Sequence, residues 1–176
     1  MRTLIILAFL LLPHSALAAN ATGQVFLDSN KNGLLDAGER GIAGVRVSNG
    51  LDVVTTNNEG RYTLPVDEQS IIFITKPRDY AIPVNAHMLP QFYYIHQPAG
   101  SPAGMRYEGI APTGPLPEQI NFALIERQES AQFEAILFAD PQPQTQRELD
   151  YIRDDVVAEL IDSEAAFGMT LGDILY

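Results

Sequence analysis

The first two thirds of the chain alternate hydrophobic and polar positions over short stretches that are separated by turn residues. Alternation with a period of two is typical of strands that bury one face. Asn49-Gly50 is a strong signal for a two-residue hairpin turn, and residues 57–60 form a second turn region. Short strands at such regular spacing predict a mainly β fold, a β-sandwich. The predicted strands are residues 22–28, 44–48, 52–56, 61–65, 70–76 and 119–125.

Near the end of the chain the hydrophobic period changes to that of an α-helix. Residues 145–162 carry one apolar stripe, and Thr145 forms a capping box with Glu148 at its start. Short apolar runs lie on both sides, within residues 134–142 and 166–173. We predict a β-α-β unit with parallel strands, in which the stripe covers one face of the sheet. The stripe consists of Leu149, Ile152, Val156, Val157, Leu160 and Ile161.

The first 18 residues have the three parts of a secretory signal peptide. Arg2 supplies a positive start, residues 4–12 form an apolar run, and residues 16–18 read Ala-Leu-Ala, a small-residue cleavage site. The run is well short of the roughly 20 residues that a membrane-spanning helix needs. No later stretch of the sequence is long and apolar enough to span a membrane. We therefore predict a secreted or periplasmic protein without a transmembrane segment after cleavage.

Charge and cysteine content restrict the class of protein further. The formal net charge is −11, which argues against a nucleic-acid-binding patch because such a patch needs clustered Lys and Arg. The chain has no cysteine, so no disulfide can stabilise it even in an oxidising compartment. Its stability must come from the burial of a core, with a bound ion as a further source.

Residues 77–117 have a different composition from the predicted strands. They hold eight of the twelve prolines, interleaved with aromatic residues and two histidines. A flexible linker would be rich in Gly and Ser instead, so we predict an ordered loop packed against another part of the protein, with the domain that should follow it as the first choice. The alternatives are a substrate-contacting loop that uses Tyr93, Tyr94 and His96, or a glycan-binding surface around residues 92–94.

Residues 28–39 read DSNKNGLLDAGE and fit a calcium-loop pattern without a mismatch. Calcium prefers six to eight oxygen ligands, and this spacing wraps oxygens around one point. The loop follows a predicted strand rather than a helix, so it is not an EF-hand. The alternative is a polar turn that needs no metal. The predicted calcium ligands are Asp28, Asn30, Asn32, Leu34 through its carbonyl, Asp36 and Glu39.

Three segments of the front half together resemble a known group of β-sandwich domains. They read GQVFLD at 23–28, GVRVSNG at 44–50 and TNNEGRYTL at 56–64. This order of elements is similar to the Cna-B or carboxypeptidase-regulatory type, an immunoglobulin/transthyretin-like sandwich. The resemblance implies an accessory module used for spacing, stabilisation or binding.

The end of the chain resembles the opening of the calcineurin-like metallophosphoesterases. The matching residues are Asp140-Pro141-Gln142 and Gly172-Asp173, in the branch that writes its first motif Asp-x-Gln. That branch carries the same sandwich type before its catalytic domain. The resemblance implies that Asp140 and Gln142 bind one metal ion and that Asp173 bridges to a second. It implies two divalent ions, Mn, Mg, Fe or Zn, and the amide oxygen of Gln142 favours Mn or Mg.

These observations predict a signal peptide at 1–18, a sandwich at 19–125 that includes the loop 77–117, and the start of a phosphoesterase domain at 132–176. The family's later Asn and His motifs do not occur before Tyr176, so we expect a truncated domain that is inactive alone. The first hypothesis is thus the N-terminal part of an exported hydrolase of phosphate mono- or diesters. The second is a secreted, non-catalytic, calcium-stiffened sandwich that serves as a binding or structural module.

Overall fold

The computed structural model describes residues 19–174, so the predicted signal peptide lies outside the described residues. The chain divides into two compact units, one ending at Gln128 and the other beginning at Glu129. Within the described range, no helix has the length and apolar character needed to cross a bilayer.

The first unit contains two four-stranded sheets. The strands are β1 Ala19–Leu27, β2 Arg46–Ser48, β3 Val53–Thr55, β4 Arg61–Val66, β5 Ser70–Thr75, β6 Tyr80–Ala81, β7 Tyr93–His96 and β8 Phe122–Glu126. In one sheet the order is β4-β1-β8-β6, where β1 pairs antiparallel with β4 and parallel with β8. In the other the order is β3-β2-β5-β7, and all neighbouring strands are antiparallel.

The core of this unit lies between the two sheets, because the inward positions of both contribute to one buried cluster. Strand β4 shows the pattern most clearly, since its residues alternate strictly between exposed and buried. Its inward side chains meet Ile72 and Ile74 of β5, which belong to the opposite sheet. Period-two burial on facing sheets is the packing of a β-sandwich, and the predicted mainly β fold is confirmed at this level.

Tyr62 ties strand β4 to the segment that enters β8. Its hydroxyl donates a 2.7 Å hydrogen bond to the backbone oxygen of Ile120, and its ring stacks on Phe122 with 6.3 Å between centroids. Burial raises the pKa of the Tyr62 phenol, because the charged form would lose its hydration. The phenol therefore stays protonated and keeps donating to this carbonyl throughout the physiological range.

All six predicted strands form, with ends that differ by up to a few residues. The proline-rich segment contains two strands that the sequence did not predict, β6 and β7. Phe92 and Tyr94 from this segment pack against the core of the same unit, together with Tyr80. These residues of the segment are therefore packed as predicted, but on the core of the sandwich itself. Packing of the segment against a following domain stays a prediction.

The second unit has a parallel pair of strands, β9 Ala135–Phe138 and β10 Phe167–Thr170, with a helical stretch between them in the sequence. The stretch begins as α1, Gln146–Tyr151, continues as a π-helix, Ile152–Val157, and ends as a 3-10 turn, Ala158–Leu160. The predicted parallel pairing is confirmed. The predicted capping box is confirmed as well, with Glu148 N–H donating to Thr145 Oγ1 at 3.3 Å.

The prediction that the apolar stripe covers one face of the sheet is wrong for the described residues. No residue of the helical stretch is buried, and Leu149 and Val156 are 42% and 43% exposed. Every residue of β10 is exposed as well. A two-stranded sheet offers too little surface to bury a helix face, so the packed β-α-β unit is not shown.

Candidate functional site

The two motif loops of the second unit follow β9 and β10 at the same edge of the sheet, because the strands run parallel. The backbone N–H of Gln142 donates a 3.0 Å hydrogen bond to the backbone oxygen of Asp173. This contact joins the segment after β9 to the segment after β10. The structure therefore brings Gln142 and Asp173 together, which the sequence could only suggest from the strand order.

Three residues of these loops have a positive φ without being glycine. The values are 52° for Asp140, 29° for Gln142 and 48° for Asp173. Side chains other than glycine rarely adopt this region, and such strain is concentrated at functional sites. Both aspartates are exposed and Gln142 is partly buried.

The donor chemistry of these residues suits a hard divalent cation, since two carboxylates and one amide supply only oxygen ligands. Within residues 19–174, however, no three His, Asp or Glu side chains form a group that could hold a metal ion. The residue types therefore suit such an ion by their chemistry, while the described residues do not group into a site for one.

The loop at 28–39 is built around the buried carboxylate of Asp28, which is only 1% exposed. Its Oδ2 accepts a 2.8 Å hydrogen bond from Gly33 N–H, and its Oδ1 accepts one of 3.1 Å from Asn32 N–H. Gly33 has a φ of 76°, which gives the chain its sharp turn back to Asp28. The N–H of Asp28 itself donates to Leu124 on β8, so the loop is fixed to the sheet.

The side chains of Asn30, Asn32, Asp36 and Glu39 form hydrogen bonds within the loop. Both oxygens of Glu39 accept backbone N–H groups, from Ser29 at 2.8 Å and from Asp36 at 3.1 Å. The side-chain amides of Asn30 and Asn32 both donate to Asp36 Oδ2 at 2.8 Å. These two amides lower the pKa of Asp36, because they stabilise its charged form. All the predicted oxygen ligands lie on one closed turn, but the three carboxylates do not form a metal-binding group there.

The trio proposed for a substrate-contacting loop is divided between two sides of strand β7. Tyr93 is 48% exposed, whereas Tyr94 packs against the core and His96 is buried. Successive residues of a strand point to opposite faces, so these three side chains do not share an exposed surface.

A cluster of three polar side chains that the sequence did not indicate lies where β5 begins and β7 ends. His96 pairs across the strands with Ser70, and the Oγ of Ser70 donates a 3.0 Å hydrogen bond to the carboxylate of Asp67. Asp67 and Ser70 lie three residues apart, so their contact belongs to a local turn. Only the strand register brings His96 beside them, so no local sequence signal could have found that contact.

Comparison with curated proteins finds no match to this chain. Two solved structures of shaft pilin SpaA from Lactobacillus rhamnosus GG, one of them a mutant, share 11% and 10% identity with it, at TM-scores of 0.37 and 0.35. The matches cover 70% and 74% of this chain, and only 56% and 57% of the pilin chains. A likeness this low carries no argument about function.

Residues 29–109 match the family model described as the N terminal of calcineurin-like phosphoesterase. The matched stretch runs from the acidic loop through β7 and does not include Asp140, Gln142 or Asp173. It is therefore support that is independent of the two motif loops. The match supports the resemblance of this segment to the N-terminal part of that family.

Proposed function

We propose that this chain supplies the N-terminal sandwich and the first metal-ligand loops of an exported, metal-dependent phosphoesterase. The observation that carries the proposal is the hydrogen bond between Gln142 N–H and the Asp173 carbonyl, which joins the two motif loops. The match of the preceding sandwich to the N-terminal model of the same family supports it independently. Export rests on the signal-peptide pattern of residues 1–18.

In this proposal Asp140 and Gln142 would hold one divalent ion, and Asp173 would be shared between two. The ions, when bound, would supply a hydroxide nucleophile and neutralise the charge of a phosphate mono- or diester. The part of this chain is to bring the loops that carry these residues to one edge of the β9–β10 sheet. Mn or Mg fits the oxygen-only donor set better than Zn.

The first test is to read the source DNA through the codon for Tyr176 and to express the whole reading frame. We expect the frame to continue into Asn and His ligand motifs. We also expect its product to hydrolyse bis(p-nitrophenyl) phosphate or p-nitrophenyl phosphate with added Mn or Mg, whereas residues 1–176 alone do not. A stop codon directly after Tyr176 would contradict the proposal.

A second function, a calcium-stiffened sandwich module, is favoured by the geometry of the loop at 28–39. The buried carboxylate of Asp28 already turns the chain back on itself, and the loop is fixed to β8. We propose that calcium replaces the amide donors now bound to Asp36 and draws the loop oxygens onto one ion. The role would be structural, because the loop connects β1 to the next strand.

We expect calcium to stabilise the chain by about 1–2 kcal/mol at millimolar concentration, as for a site of modest affinity. The measurement is thermal unfolding in EDTA, in excess Ca²⁺ and in Mg²⁺ at equal ionic strength. Glu39→Gln should abolish the calcium response, because it removes the two-oxygen ligand, while Glu68→Gln in the turn between β4 and β5 should keep it. An equal response to Mg²⁺, or a response that survives in Glu39→Gln, would show that the loop is only a polar turn.

A further inference from the structure

The outer face of the sheet that contains β1 and β4 carries a concavity of about 350 Å³, and neither proposed function uses it. Its floor comes from these two strands, where Thr22 pairs with Thr63 and Gln24 pairs with Arg61. Residues two apart on a strand point to the same face, and the residue between each such pair is buried. The four side chains therefore form one block on the outer surface of the sheet.

Two further segments line this concavity. Gln119 belongs to the stretch that enters β8, where the backbone N–H of Ile120 donates a 2.8 Å hydrogen bond to the Thr22 carbonyl. Leu35, in the loop at 28–39, lines the concavity as well and is partly buried. Strand pairing and the Ile120 bond fix the backbone of the floor and of the Gln119 segment. A site that is formed in advance loses less free energy to ordering when a ligand binds.

Arg61 is the one charged residue among the described residues that line the concavity. The chain has 22 acidic residues and a net charge of −11, yet none of these carboxylates belongs to the lining. Within residues 19–174, the guanidinium of Arg61 forms no ion pair and no hydrogen bond. The carboxylate of Glu59, two residues away, accepts a 3.0 Å bond from Asn57 instead. The N–H groups of the guanidinium are therefore available to a ligand.

The uncharged side chains of the lining supply both hydrogen-bond acceptors and donors. Nε2 of Gln24 and the hydroxyl of Thr22 donate to backbone carbonyls at 2.8 and 3.0 Å. Each of these two side chains keeps an oxygen that can accept a hydrogen bond from a ligand. Oε1 of Gln119 accepts from Asn121 at 3.4 Å, which leaves its Nε2 as a donor. The hydroxyl of Thr63 can serve in either role.

We propose that this concavity binds a small organic oxyanion, a carboxylate or a phosphate attached to a hydroxylated body, with Arg61 as the anchor. The planar guanidinium can donate two parallel hydrogen bonds to two oxygens of such a group. Gln119 and Thr63 supply further donors, while Gln24 and Thr22 accept from the hydroxyls of the ligand. A volume of about 350 Å³ lies at the lower end of the range for small-molecule sites, so it suits a ligand built on one sugar ring.

The test is a titration of the whole chain followed by ¹H–¹⁵N NMR at fixed ionic strength. EDTA is present, so that calcium binding to the loop that carries Leu35 does not contribute. The probes are glucuronate, glucose 6-phosphate and neutral glucose. We expect both anions to shift the backbone amides of Gln24, Arg61 and Gln119 with a Kd on the order of 1 mM. The tighter of the two identifies the preferred anionic group, and glucose should cause no shift at the same concentrations.

Arg61→Gln should raise the Kd of both anions at least about tenfold, because it removes the charge and the paired donors. Arg46→Gln is the matched control, since Arg46 is exposed on β2 in the other sheet and its loss changes the net charge equally. It should leave both Kd values unchanged. Equal binding of glucose, or equal effects of the two variants, would overturn the proposal. The absence of shifts with either anion up to about 20 mM would overturn it as well.

Discussion

Gly60→Ala is expected to destabilise the sandwich by about 3–5 kcal/mol, enough to unfold many domains of this size. Gly60 has a φ of 73°, a conformation that L side chains rarely adopt. An added Cβ would lie 2.3 Å from the Val25 oxygen and 2.6 Å from the Ile42 nitrogen. Both are backbone atoms of hydrogen-bonded segments, so they cannot move aside as a flexible side chain would.

Gly44→Ala provides the matched control for this prediction. Gly44 has nearly the same backbone conformation, with a φ of 78°, but nothing lies within 4 Å of its added Cβ. Gly44→Ala should lower the free energy of unfolding by only about 1 kcal/mol, because it adds only the strain of the backbone conformation. The measurement is denaturant unfolding of both variants followed by circular dichroism. Equal losses in the two variants would show that conformational strain, and not crowding by Val25 and Ile42, sets the cost.

Asp173→Asn is expected to lower the kcat/KM for phosphate esters at least about a hundredfold in the protein expressed from the whole reading frame. Under the proposed function, Asp173 gives one carboxylate oxygen to each of two cations. Asparagine keeps the size and the backbone carbonyl that accepts from Gln142, and it tolerates a positive φ. The change therefore removes charge at the metal site with little cost to the loop.

Asp162→Asn is the control, since it removes an exposed carboxylate from the same unit outside the two motif loops. It should leave kcat/KM unchanged. Activity should be titrated with Mn²⁺ in both variants, because a weakened ligand raises the metal concentration needed for half-maximal rate. If Asp173→Asn retains activity and metal dependence, the assignment of Asp173 as a bridging ligand is wrong, whatever the fold of the extended protein.

The alternation of hydrophobic and polar residues determined most of the sandwich by itself. A strand that buries one face must place an apolar side chain at every second residue, and segments such as Arg61–Val66 do so without exception. The capping box of Thr145 and Glu148 could also be predicted from sequence, because its hydrogen bonds join residues only three apart. The loop motif at 28–39 could be located from its spacing, and the Asp-x-Gln and Gly-Asp motifs from their resemblance to a known family.

What the sequence could not supply depends on contacts between distant residues. Strands β6 and β7 were missed because proline masks strand propensity, and only their pairing with β8 and β5 makes them strands. The predicted helix was continuous by its period, whereas the structure changes from α to a π-helix and a 3-10 turn along it. The pairing of His96 with Ser70 depends on strand register, and the Gln142–Asp173 bond on parallel strands. Local pattern therefore determined most of the strands and the start of the helix. The tertiary structure alone decided β6, β7 and which distant polar groups meet, because those depend on chain segments far apart in sequence.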